Sequence, residues 1–440
     1  MTITFIGHGY VGLVTAAVFA DLGNTVFVIG HTPSKINNLK KGVIPIFEPG
    51  LEELVKRNVQ AGRLLFTLDY DPAISKSDVA FIAVGTPPKK TGEADLSVVF
   101  DVAEKLGKHL DGYTVVIIKS TVPIGTNKKV KETIEKIKPE RASFDIASIP
   151  EFLREGQAIA DTLRPDRIVI GTESTRAQSV LIELHKPIAV QDSTLEGNLV
   201  LTNIETAEMI KYASNAFLAT KISFANAIAQ ISEATGADGI KVLEAIGLDK
   251  RIGKAFLNPG AGYGGSCFPK DVKALIAIAK QAGSEFDLLR EVENVNNAAI
   301  TGIVKKAQRL LGDDLKGKTI GMLGLSFKPD TDDMRDAPSI TIARILIEQG
   351  AVIKAFDPIA MDNAKKIFAT DKSFHLVPDS YSAATDADLL IVVTEWNEFR
   401  QLDLGKAKKL MKTAFIIDGR NIYDPEKAKA LGFTYIGVGR

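Results

Sequence analysis

The chain has 440 residues, which suits two or three domains rather than one. Lys plus Arg and Asp plus Glu each number 54, so the formal net charge is zero, which argues against a general nucleic-acid binder but leaves room for a local basic pocket. One cysteine excludes an internal disulfide and fits a reducing cytoplasm. With no long apolar run and no basic leader before MTITFIGHGYVG, neither a membrane span nor a cleaved signal is expected.

In chain order, TITFIG (2–7) reads as a buried strand, followed by a helix through Leu22 and a second strand, NTVFVIG (24–30). DVAFIAVG (78–85), YTVVIIKST (113–121) and FDIASIP (144–150) are further buried strands. Continuous apolar strands alternating with helices predict a parallel sheet covered on both faces. From about Asn203 to Thr235 the apolar residues recur at three and four, without proline, up to Gly236. This predicts one long spine helix, and more helix follows it. The last part returns to strands at KTIGMLGLSF (318–327), AVIKAFDP (351–358), ADLLIVVTEW (387–396) and AFIIDGRN (414–421). TITFIG pairs with KTIGMLG, NTVFVIG with AVIKAFD, and DVAFIAV with DLLIVVT, an internal repeat of strand order. The expected fold class is α/β. Two Rossmann-like, doubly wound parallel-sheet domains, 1–198 and 301–440, are joined by a central helical domain, 199–300.

Gly7, Gly9 and Gly12 form G-x-G-x-x-G with Tyr10 and Val11, directly after a strand and opening a helix. In that context Gly7 permits the turn, Gly9 lets a pyrophosphate approach, and Gly12 lets helix and strand pack; the helix amino terminus faces the phosphates. An acidic partner should end the second strand, and Gly30 stands there instead, followed by His31, Thr32, Ser34 and Lys35. NAD is the expected cofactor, with NADP or dual use open. Cys267, in GGSCFPKD, has glycines before it and Lys270 and Asp271 one turn beyond, a setting that suits a nucleophile at a helix amino terminus as well as a structural thiol. Lys211 and Asn215 share a face of the spine helix, a spacing that by itself favours a solvated lysine and a local hydrogen bond. Pro150-Glu151-Phe152-Leu153-Arg154-Glu155, Lys119-Ser120-Thr121 and Gly85-Thr86-Pro87-Pro88 all follow strand ends, where ligands of open α/β sheets bind. The five histidines show no metal spacing, and no metal is expected.

These motifs in this order, with GEADLS, RIGKAFLNPGAGYGG and GLSFKPDTDDMRDAPS, resemble the UDP-glucose/GDP-mannose dehydrogenase family over essentially the whole chain. The resemblance implies oxidation of the C6 hydroxymethyl of a nucleotide sugar to a carboxylate with reduction of two nicotinamide cofactors. UDP-glucose is the first expected substrate, and a UDP-N-acetyl-hexosamine or GDP-mannose the alternative. It implies Cys267 as the nucleophile that forms a thiohemiacetal and then a thioester. Lys211, Asn215 and Asp271 are its implied catalytic companions, and Thr121 and Glu155 the pair that handles water. It implies cofactor contacts from Gly7 to Gly12 and from Lys35, Thr86, Thr121, Glu155, Cys267 and Arg335. It implies substrate contacts from Glu151, Phe152, Leu153, Glu155, Lys211, Asn215, Phe256, Leu257, Tyr263, Gly264, Phe327, Lys328 and Arg420. Arg251 would reach the sugar of a neighbouring subunit, which implies at least a homodimer built on the central helices. Two other classes stay open from the residues alone. A two-electron hydroxyacid dehydrogenase would have no use for Cys267, and a nucleotide-binding redox sensor would bind cofactor without turnover.

Overall fold

The computed structural model describes residues 1–189 and 198–440, which fall into two compact units, Met1–Ser214 and Asn215–Arg440. The first unit carries β1 (Thr2–Ile6), β2 (Thr25–Ile29), β3 (Leu64–Thr67), β4 (Val79–Ile82), β5 (Tyr113–Ile118), β6 (Ser143–Ser148), β7 (Ile168–Gly171) and β8 (Leu199–Thr202). They form one sheet in the order β3-β2-β1-β4-β5-β6-β7-β8. Alternate residues of each central strand are buried on opposite faces. Ile3, Phe5, Val79 and Phe81 join one core, while Ile6, Ala80 and Ile82 join the other. Two buried faces explain why these strands read as unbroken apolar runs. Phe5 and Phe81 stack at 4.5 Å in the first of those cores.

The sheet departs from the all-parallel expectation at one seam, where β6 meets β7 antiparallel through Ser148 and Gly171. The chain leaving β6 contains only the 6-residue helix Ala158–Leu163. The chain re-enters the sheet from the end at which it left.

The second unit carries β9 (Thr319–Leu323), β10 (Val352–Phe356), β11 (Phe374–Leu376), β12 (Leu389–Val392), β13 (Phe415–Asp418) and β14 (Thr434–Ile436), ordered β11-β10-β9-β12-β13-β14 and wholly parallel. The strands paired as an internal repeat occupy equivalent places: β1 and β9 are central, β2 and β10 lie on one side, and β4 and β12 lie on the other.

The spine is the 32-residue helix Ile204–Thr235, about 48 Å long. The Asn203 side chain starts it by accepting from the Thr206 N–H at 2.8 Å, and Gly236 ends it with φ +77. Among the described residues no helix is long and apolar enough to cross a membrane.

Candidate active site

In the first unit, the G-x-G-x-x-G turn links β1 to α1 (Tyr10–Asp21). Gly7 has φ +120, and a side chain there would meet the Ala83 carbonyl at 2.3 Å. A side chain at Gly12 would meet the Gly7 carbonyl at 2.2 Å, whereas one at Gly9 would meet nothing within 4 Å. Gly7 and Gly12 are therefore required by packing, while Gly9 leaves open space at an amino terminus that has no side-chain cap. That cradle fits the pyrophosphate of a dinucleotide. Tyr10 donates from its hydroxyl to Glu48, whose carboxylate also accepts from the Gly156 N–H at 2.6 Å and the Ala158 N–H at 2.7 Å. Glu48 thus ties the cofactor turn to the loop bearing Glu155; nothing in its local sequence announces this role.

At the carboxyl ends of β4 and β5, the Thr86 hydroxyl donates to the Thr121 carbonyl at 2.8 Å and joins two expected cofactor loops. Beside them is a buried charge cluster. Lys211 pairs with Glu151 at 3.0 Å, both nearly inaccessible, and the Leu153 N–H donates to the other Glu151 oxygen at 2.7 Å. Burial opposes charge on Glu151, but Lys211, that N–H and Lys119 outweigh it and hold the carboxyl below its usual range. Lys119 is buried, and that burial, with Lys211 nearby, lowers it to about 8 against the pull of Glu151. The Phe152 ring lies 5.4 Å from the Lys211 ammonium and 3.8 Å from the Arg167 guanidinium. The solvated lysine favoured by helix spacing alone is therefore corrected: Lys211 is 3% exposed.

In the second unit, Cys267 is the N-cap of the 14-residue helix Phe268–Gln281, with its sulfur 3.6 Å from the Ser266 hydroxyl. Its carbonyl accepts from the Asp271 N–H at 2.9 Å. The Asp271 carboxylate is fully buried and accepts from Asn215 at 2.6 Å and from Lys270 at 2.6 Å. A helix amino terminus favours negative charge on a sulfur placed there. The Phe268 ring next to the cysteine packs edgewise against Tyr263 at 5.9 Å and Phe256 at 6.1 Å. Phe256 has φ 64, a left-handed conformation that a bulky residue adopts only when its surroundings hold it. Leu257 is buried beside it in sequence.

Tyr263 is clamped by Asn296, which accepts from its N–H at 2.8 Å and donates to its carbonyl at 3.1 Å. A side chain at Gly264 would meet the Asp336 carbonyl at 2.2 Å, and the Gly265 N–H donates to the Arg335 carbonyl at 2.8 Å. Arg420 donates to the Val393 carbonyl at 2.7 Å and reaches the carbonyls of Gly262 and Phe327 at 3.3 and 3.5 Å. The Lys328 ammonium lies 5.8 Å from the Phe327 ring. Tyr263, Gly264, Phe327 and Arg420 are thus gathered around the cysteine loop. The Arg335 side chain is 64% exposed and gripped by Asp333 at 2.7 Å, and the Arg251 side chain is 89% exposed and bonded to Asp249 at 2.6 Å.

The models of three domains of one family match in turn: the UDP-glucose/GDP-mannose dehydrogenase NAD binding domain over residues 1–189, the central domain over 205–298 and the UDP binding domain over 321–425. The chain belongs to the UDP-glucose/GDP-mannose dehydrogenase family, and its first domain is an NAD-binding domain. It is 49% identical over 438 residues to UDP-glucose 6-dehydrogenase TuaD of Bacillus subtilis, covering 100% of this chain and 93% of that one. It is 47% identical to UDP-glucose 6-dehydrogenase of Rhizobium meliloti, covering 100% of both. Among solved structures, a UDP-glucose dehydrogenase from Pyrobaculum islandicum is 38% identical with a TM-score of 0.91, covering 99% of this chain and 97% of that one.

Proposed function

We propose that this chain oxidises UDP-glucose to UDP-glucuronate through a covalent bond between C6 and Cys267. The overall balance is R–CH2OH, one water and two NAD+ giving R–COO−, two NADH and three protons. The observation that carries the reading is Cys267 at the start of its helix, backed by the buried Asp271 with Asn215 and Lys270 as donors. The full-length relatives named UDP-glucose 6-dehydrogenase supply the sugar nucleotide.

NAD, when bound, supplies the acceptor for one hydride in each of two oxidations. Gly7 to Gly12 hold its pyrophosphate, and Thr86, Thr121, Lys35, Glu155 and Arg335 complete its contacts. The Cys267 thiolate adds to the C6 aldehyde, forming a C–S bond while the carbonyl electron pair moves onto oxygen. Lys211 and Asn215 donate to that oxygen, each donor lowering the barrier by about 3 kcal/mol. Loss of hydride from the thiohemiacetal carbon leaves a thioester. Water positioned by Thr121 and Glu155 then adds, the C–S bond breaks, and the thiolate departs as the acid forms. Glu151, Phe152, Leu153, Phe256, Leu257, Tyr263, Gly264, Phe327, Lys328 and Arg420 bind the substrate.

In this reading the domains are 1–198, 199–300 and 301–440, and the enzyme works as a homodimer in the cytoplasm, where its thiol stays reduced. Phe217, Phe224 and Ile231 support the dimer: they are 66%, 50% and 59% exposed and lie seven residues apart on the spine helix. Arg251, pointing to solvent, would serve the second copy. The test is Cys267→Ser, which retains size but offers a poor leaving group. Steady-state acid formation should fall by orders of magnitude, and near-normal formation would refute the covalent route.

A further inference from the structure

The end of β2 is where a Rossmann fold holds a carboxylate that accepts the adenosine ribose hydroxyls of NAD and repels a phosphate there. In this chain that position is Gly30, and its lack of a side chain is reinforced by its neighbours. A Cβ there would lie 2.5 Å from Ile36 Cδ1 and 2.9 Å from His8 Nδ1. His8, inside the glycine turn, is 6% exposed, and its Nδ1 has no hydrogen-bond partner among the described residues. Its ring lies 5.1 Å from that of His31. Thr32 caps α2 (Pro33–Lys40) with no side-chain hydrogen bond, so the Ser34 and Lys35 amides of its first turn and the Thr32 hydroxyl are available beside Gly30. Between Asp21 and Glu48 the sequence holds Lys35, Lys40, Lys41 and His31 and no carboxylate.

The place that should repel a phosphate thus carries an unsatisfied buried imidazole, a second imidazole, a helix amino terminus and an exposed lysine. We propose that this cradle receives a phosphate on the adenosine 2′ oxygen, so that the chain binds NADP as well as NAD, and NADP the more tightly. The proposal rests on the dinucleotide reading of the glycine turn. His31, Thr32 and Lys35 are the specificity residues; His8 and Ile36 act behind them by filling the space a carboxylate would need. Lysine and histidine grip phosphate less rigidly than a bidentate arginine, so the preference should be moderate.

The test is calorimetric titration of the full chain, without turnover, with AMP, adenosine 2′,5′-bisphosphate, NAD and NADP. The bisphosphate should bind on the order of tenfold more tightly than AMP, and NADP more tightly than NAD, with the margin shrinking as salt rises. In the His31→Ala/Lys35→Ala variant, whose changes are both at exposed positions, the bisphosphate should lose more affinity than AMP does, so that the margin between them vanishes. His8→Ala/Gly30→Asp should reverse the order in favour of NAD. If AMP and NAD bind and the added phosphate gains nothing, this proposal alone falls. If none of the four binds, the dinucleotide reading falls with it.

Discussion

Gly9 and Gly12 are the same residue type three positions apart, yet they answer to different demands. A side chain at Gly12 collides with the Gly7 carbonyl, while one at Gly9 enters open space. Gly9→Val should therefore leave the thermal midpoint nearly unchanged and abolish dinucleotide binding. Gly12→Val should lower stability by several kcal/mol through forced separation of helix and strand. Thermal unfolding and calorimetry on both variants check this, and intact cofactor binding by the Gly9 variant would count against the cradle. Lys119 gives a second test at this scale. Its native value of about 8 lies below the ordinary 10.5. Between those values the unfolded chain holds a proton that the native chain has shed, so stability contributed by this group rises with pH there. Below pH 8 both states are protonated and the burial cost is fully present. The stability of the parent minus that of Lys119→Met should be flat below about pH 8. It should then climb by roughly 3 kcal/mol toward pH 10.5. A difference that falls over that window would contradict the assignment.

Among the elements, the spine helix was the easiest to read. Asn203, Gly236 and an uninterrupted apolar period fix both ends, and the observed helix starts and stops beside those two residues. The central strands were equally plain, because two buried faces demand unbroken apolar runs. Edge strands β3, β11 and β14, of 4, 3 and 3 residues, were not legible, since so short a segment carries no period to detect. On the solvent side of the spine, Phe217, Phe224 and Ile231 form one stripe whose exposure a monomer does not explain. On the proposed dimer reading, Phe224→Asp should give a monomer in light scattering without loss of helicity. Arg251→Ala should raise KM for the sugar nucleotide while leaving the thermal midpoint unmoved. A dimer that survives the first change would remove this face from the interface.

Across the whole molecule, two sheets with the same central strand order are built from one chain, and the paired runs TITFIG and KTIGMLG mark their equivalent centres. Sequence pattern reaches this far because strand order follows from local periodicity and right-handed crossovers. It does not reach contacts set by the order itself. Glu48 meets the Gly156 amide across 108 residues, and His8 fills the space beside Gly30 only because β1 and β2 are neighbours. The buried state of Lys211 was hidden for the same reason, since its partner Glu151 comes from the far end of β6. The place of Cys267 at a helix amino terminus was legible because its signals, glycines before and a helix after, are all local. Central to the proposed chemistry is that Cys267 carries the sugar from alcohol to acid without releasing the aldehyde. The direct measurement is the ratio of cofactor reduced to UDP-glucose consumed, with the product identified by mass. The expected result is two reduced cofactors per sugar nucleotide and UDP-glucuronate as product; a ratio of one with the C6 aldehyde accumulating would contradict the covalent route.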